Sequence, residues 1–221
     1  ELVFVALPPS AVVPWIAAHA DEFAPSAVVV DSCGVKREIC EALSGIAAGR
    51  KWHFVGGHPM AGKEVSGFAN SDENLFKGAS MILTPYPETD SSVLAMLERL
   101  FAELGFARTV MTTPENHDRM IAFTSQLGHV IANAYVRDEA AREASGYAAG
   151  SYANMTRIAS MDPAIWTELF LANREALTTV LDSFISRLNE FNALLKSNRR
   201  EEIASCIAAG AKAKKDDGVR R

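Results

Sequence analysis

Cysteine is scarce and unpaired in this chain. Its three residues, Cys33, Cys40 and Cys206, show no CxxC spacing and no nearby histidine pair, which excludes a disulfide framework and a zinc site as readings of the pattern. Long apolar runs are missing too: none approaches the roughly 18 residues of a membrane span. The opening Glu1-Leu2-Val3-Phe4-Val5 lacks the basic start and cleavage site of a signal peptide. Excess positive charge is absent: the net charge is -5, and Lys212, Lys214 and Lys215 are offset by Asp216 and Asp217, so no nucleic-acid partner is expected. A reducing cytoplasm is the expected setting, with no metal and no membrane partner. What is present is a chain of 221 residues, 48% hydrophobic, enough to bury the core of one large domain or two modest ones.

Short apolar runs come first. Leu2 to Leu7, ended by Pro8-Pro9, reads as a strand buried on both faces of a parallel sheet. Ser10 is placed as the cap of a helix to about Ala20, Ala27 to Asp31 reads as a second strand, Val35 to Ala47 as a second helix, and Trp52 to Val55 as a third strand. Such alternation predicts an open α/β sheet with right-handed crossovers. After a glycine-rich turn from Gly56, strands are predicted at Ser80 to Leu83 and Arg108 to Met111, with a helix over Ser91 to Leu104 between them. From Thr113-Pro114-Glu115, with cap, proline and acid in helix-start order, the pattern becomes helical. One long helix is predicted to about Asp138, then helices over 147–159, 163–192 with a break, and 199–209. The division is therefore placed at residue 112: an α/β part over 1–112 and an all-α part over 113–221.

Ligands of open α/β sheets collect beyond the carboxyl ends of the strands, where helix amino-termini also converge. Three strand exits qualify: Pro8-Pro9-Ser10, Asp31 to Lys36, and Gly56-Gly57-His58-Pro59. The third carries an imidazole between two glycines and a proline, a group able to take a proton near neutral pH. Ser125 and His129, four residues apart, share one helix face.

The run Gly57-His58-Pro59-Met60-Ala61-Gly62-Lys63-Glu64-Val65-Ser66-Gly67-Phe68, followed by Asn74 to Gly78 and Ile82-Leu83-Thr84-Pro85, resembles the signature of prephenate and arogenate dehydrogenases. His117-Asp118 with Ala122, Ser125 and His129, and Thr156-Arg157-Ile158-Ala159 with Pro163 and Trp166, extend the resemblance to about Leu195. It implies a Rossmann-like parallel sheet joined to a helical dimerisation domain, a homodimer through the helices, and NAD- or NADP-dependent oxidative decarboxylation of prephenate or arogenate to 4-hydroxyphenylpyruvate or tyrosine. Within it His58 is the catalytic base, and Arg157, His129, Ser125, Asn154, Gln126, Trp166 and Lys63 bind the substrate. Pro8, Pro9, Gly34 and Lys36 lie at the cofactor.

Two departures stand out. Where that family commonly has a serine two residues before the lysine, this chain has Gly34, and where it often reads Ser-His-Leu-Pro-His, this chain has Ser125-Gln126-Leu127-Gly128-His129. The GxGxxG turn and ribose-reading acid of a dinucleotide domain have no counterpart ahead of Glu1, so the sheet is expected to be partial and the chain inactive alone. The alternative reading is a non-catalytic binding or dimerisation module of the same family.

Overall fold

The computed structural model describes residues 1–63 and 67–216. Glu64, Val65 and Ser66 of the quoted run, and residues 217–221 with Asp217, lie outside the described residues. Residues 1–177 form one compact unit and residues 178–221 a second.

In the first unit, strands β1 (Leu2–Val5), β2 (Val28–Asp31), β3 (His53–Pro59), β4 (Ser80–Pro85) and β5 (Arg108–Met111) form one sheet in sequence order. The pairs β1–β2, β2–β3 and β4–β5 are parallel. Strand β4 runs antiparallel to β3, a feature that apolar runs alone do not encode. Helices α1 (Pro9–His19), α2 (Arg37–Ala47) and α3 (Ser91–Glu103) make the crossovers.

All four residues of β2 are buried, and strand alternation sends them to opposite faces. Val29 joins Val12, Ile16, Leu43 and Phe54 on one face, while Val28 and Val30 join Val55, Leu83, Leu97 and Phe101 on the other. Each such fully buried side chain contributes roughly 1.5–3 kcal/mol.

Three local expectations are corrected. Ser10 is no cap: α1 begins at Pro9 with Pro8 before it, because a proline at the first helical position has its φ already set and no N–H to satisfy. The glycine turn from Gly56 is strand instead, since β3 continues through Gly56, Gly57 and His58 to Pro59 against β4. The long helix to Asp138 is interrupted: α4 (Pro114–Ile121) passes through a π-helical turn, Ala122–Gln126, into α5 (Leu127–Val136). The Thr113 side chain caps α4 as read, accepting from the Asn116 N–H.

Short helix α6 (Gly150–Thr156) leads through a 3-10 turn, Arg157–Ala159, to α7 (Pro163–Ala172). Helix α8 (Arg174–Lys196) follows Asn173, where the predicted break falls. The second unit holds the rest of α8 and α9 (Arg200–Asp216). Apolar side chains stand exposed along these two helices at Ile185, Leu188, Leu195 and Ile207, and the Lys212 ammonium is paired with Asp216 at 2.7 Å. No described helix is long and apolar enough to cross a membrane.

Candidate active site

Two buried carboxylates hold the β2–α2 turn. Asp31 closes β2: its Oδ1 accepts from the Gly57 N–H at 3.0 Å, and its Oδ2 accepts from the Cys33 N–H and from the Lys36 ammonium. Asp118 of α4 caps α2 from a distance in sequence, accepting from the Lys36 N–H (2.8 Å) and the Arg37 N–H (2.9 Å). This explains why α2 starts at Arg37 although no local capping side chain marks it.

Against this frame β3 delivers His58. The two glycines before it are demanded by close approach. A Cβ on Gly57 would stand 2.5 Å from the Asp31 carbonyl oxygen, and one on Gly56 would stand 2.3 Å from Thr84 Oγ1. Thus β3 can press onto β2, β4 and α2 only with hydrogen at both positions, and His58 emerges at a fixed place.

The His58 ring lies at a cavity of about 970 Å³. Gly34 lies at its inner edge, the segment from Pro59 to Lys63 and Asn70 form one wall, and Ile121, Ser125, Gln126 and His129 come from the interrupted helix. Ile158, Met161, Asp162, Ile165, Trp166 and Leu169 complete it. The His129 ring packs on Trp166 with centroids 3.8 Å apart. Its Nδ1 lies 3.0 Å from the Ser125 carbonyl, which can only accept, so Nδ1 carries the hydrogen. The π-helical turn just before these residues is a local departure of the kind often found at functional sites.

Behind His58 runs a chain of hydrogen bonds. His58 Nδ1 is 2.9 Å from His117 Nε2, and His117 Nδ1 is 2.7 Å from Asp118 Oδ1. Asn173 donates its amide N–H to the Asp118 carbonyl and to Gln126 Oε1, both at 2.8 Å. Burial, then the neighbouring His117 and the Lys36 charge, push the His58 pKa down from 6.5 to about 3, so its imidazole is neutral at pH 7. Burial pushes the Cys33 thiol up to about 12 and the Cys40 thiol to about 11, which removes both as nucleophiles near neutrality.

Not every residue picked from the sequence lies at the cavity. His58, Gly34, Lys63, Ser125, Gln126, His129 and Trp166 line it; Pro8, Pro9, Lys36, Asn154 and Arg157 do not. Lys36, expected at the cofactor, is wholly inaccessible and bonded to Asp31. Pro8 and Pro9 open α1 outside the lining. Gln126 borders the cavity, but its buried amide is spent inside the protein, donating to the Leu169 carbonyl and accepting from Asn173. Arg157 and Asn154 are exposed. The tight turn at Arg157–Ala159 sends consecutive side chains in different directions, and it is Ile158 that lines the cavity. The Lys63 ammonium is bonded to the Asn70 carbonyl at 3.0 Å and paired with Asp72 at 3.2 Å. Sequence reasoning quoted His117-Asp118 within a motif but gave it no role, and it passed over Asn173. The available signal was a histidine and an acid adjacent in the first turns of a helix opened by Thr113-Pro114.

Comparison with known proteins matches both parts of the chain. The family model described as prephenate dehydrogenase, nucleotide-binding domain, matches residues 1–111, and that described as prephenate dehydrogenase, dimerization domain, matches residues 113–209. The chain belongs to the prephenate dehydrogenase family. Within this family it is 30% identical over 181 residues to a prephenate dehydrogenase of Bacillus subtilis (strain 168), a match covering 80% of this chain and 48% of that protein. It is 30% identical over 203 residues to a cyclohexadienyl dehydrogenase of Zymomonas mobilis, covering 89% of this chain and 68% of that one. The crystal structure of prephenate dehydrogenase from A. aeolicus in complex with hydroxyphenyl propionate and NAD+ superposes with a TM-score of 0.85 at 28% identity, covering 98% of this chain and 76% of that one. The chain thus spans about half the length of the B. subtilis relative.

Proposed function

We propose that this chain carries the catalytic base and substrate cavity of an NAD(P)-dependent prephenate or arogenate dehydrogenase, divided into a nucleotide-binding part over 1–112 and a helical part over 113–221. The carrying observation is His58: a neutral imidazole at neutral pH, set by β3 at the edge of a large cavity, in a family whose members are dehydrogenases of this substrate class.

The cavity edge suits a flat cofactor ring. A Cβ on Gly34 would meet Leu169 Cδ2 at 3.3 Å and the Cε1 and Nε2 of His58 at 3.9 Å, so glycine there leaves open the face of the turn nearest the imidazole edge. Gly34, at the exit of β2, is the residue of this chain that would border the nicotinamide. When bound, that group supplies the two-electron acceptor needed to oxidise the ring carbinol carbon.

The remaining chemistry is assigned to the protein. His58 Nε2 takes the proton of the ring hydroxyl as that carbon is oxidised, and the bond to the ring carboxylate breaks with its electrons entering the ring, releasing carbon dioxide. Trp166 and His129, packed on each other, offer aromatic surface to the substrate ring, and Ile121, Ile158, Ile165 and Leu169 exclude water around it. Ser125 and Lys63 offer a hydroxyl and an ammonium to polar groups of the substrate. Arg157, exposed and next in sequence to the lining residue Ile158, is assigned to a substrate carboxylate by resemblance, since a guanidinium fork can hold a carboxylate through two parallel hydrogen bonds. The exposed apolar residues along α8 and α9 fit pairing with a second copy, the homodimer that the resemblance implies.

The test is to supply the full-length protein with prephenate or arogenate, each with NAD or NADP. Reduced nicotinamide and carbon dioxide in equal amounts with at least one combination is the expected result. No turnover with any of the four refutes the assignment and favours a binding or dimerisation module.

A further inference from the structure

We propose that His117 and Asp118 are positioning residues that fix the tautomer of His58, leaving Nε2 as the unprotonated atom turned toward the cavity. The proposal rests on the reading of His58 as the proton acceptor, and it adds how that imidazole is kept in the one form able to act.

The N–H groups of Lys36 and Arg37 can only donate, and they donate to Oδ1 and Oδ2 of Asp118. With Asp118 as a carboxylate accepting on both oxygens, His117 Nδ1, 2.7 Å from Oδ1, brings the hydrogen to that contact. A neutral imidazole with its hydrogen on Nδ1 has a lone pair on Nε2. His58 Nδ1, 2.9 Å from that lone pair, therefore donates, and its own Nε2 is left bare. The nearby Gly34 carries no side-chain hydroxyl to bond the ring. Both imidazoles are thus held in the Nδ1–H form, the less common one for histidine in water.

The surroundings make the order hard to lose. His117 and Asp118 are buried, and no buried side-chain nitrogen or oxygen among the described residues lacks a hydrogen-bond partner. Asn173 bonds the Asp118 carbonyl and ties the start of α8 to α4. When His58 accepts a proton at Nε2, its Nδ1–H bond to His117 becomes charge-assisted, with the Asp118 carboxylate at the far end of the chain. The reversed order would direct an N–H at the substrate hydroxyl and leave no base.

Two measurements decide it. In the ligand-free wild-type protein at neutral pH, nitrogen-15 NMR of the imidazoles should show both His58 and His117 with hydrogen on Nδ1; an Nε2–H signal from His58 overturns the proposal whatever the activity. In the full-length protein, His117→Leu should lower kcat at least about 10-fold with KM for both substrates near wild type, as general-base catalysis is typically worth 10²–10⁴-fold. His117→Gln, which can still present an acceptor oxygen to His58 Nδ1, should recover part of the loss. Equal loss in Leu and Gln variants, or a loss carried by KM, makes His117 merely structural. An active His58→Asn enzyme would instead refute the base assignment and leave the tautomer reading to the NMR result.

Discussion

Gly57 is pressed against backbone, and Gly57→Ala converts that into an energy. The added methyl would lie 2.5 Å from the Asp31 carbonyl oxygen and 2.8 Å from both Met81 Cε and Val30 Cγ1. The two side-chain contacts can yield by rotation, but the carbonyl belongs to a fully buried strand and cannot. Strands β2 and β3 must separate, stretching the 3.0 Å bond from the Gly57 N–H to Asp31. The cost falls at or above the upper end of overpacking, about 3 kcal/mol or more. At an m-value near 3 kcal/mol/M, that moves the urea midpoint down by about 1 M. Gly45→Ala is the control of opposite sign: it sits inside α2 with nothing within 4 Å of the added methyl, and should gain about 0.5–1 kcal/mol. Urea titration by circular dichroism reads both. A Gly57→Ala midpoint equal to wild type would refute the view that these glycines exist for strand contact and not for a turn.

Removing Lys36 should be costly without involving any ligand: Lys36→Met leaves Asp31 buried and uncompensated, a loss of roughly 3–5 kcal/mol in the same titration, and a stability change below 1 kcal/mol would contradict the structural role. Stability should also fall on acidification. The depressed His58 pKa keeps the folded protein unprotonated there while the unfolded chain takes up a proton, so this contribution is full above pH 6.5 and is lost as the pH drops toward 3, by at most about 5 kcal/mol. His58→Asn should flatten the curve in that window. Arg157→Ala should raise KM by roughly 10- to 100-fold, the worth of a charge-assisted hydrogen bond of about 1.5–3 kcal/mol, with kcat little changed; an unmoved KM removes Arg157 from the substrate.

Much of the fold was legible because burial and period are written locally. The valines of β2 and the Thr113-Pro114 helix start carry their own signals, and both lie where the pattern puts them. What stayed hidden depends on partners distant in the chain. The cap of α2 is Asp118, about eighty residues on; the glycines of β3 read as a turn until their neighbours are in place; and β4 reverses direction with no mark in its own residues. At the site, the position of His58 near the end of a strand could be read from the sequence, and it lines the cavity there. Lys36 read as an available cation because nothing local shows that Asp31 consumes it. The tight turn at Arg157–Ala159 sets Ile158, not Arg157, against the cavity, a matter of side-chain direction that spacing does not give. His117 and Asn173 act only through other residues, and their roles emerge once β3, α4 and the start of α8 are packed together.

Removal of the substrate's proton is assigned to His58 Nε2. Its most direct measurement is the single-turnover rate of His58→Asn in the full-length protein with cofactor and substrate saturating. A fall of about 10²–10⁴-fold with cofactor affinity unchanged is expected. A rate within about twofold of wild type would contradict it.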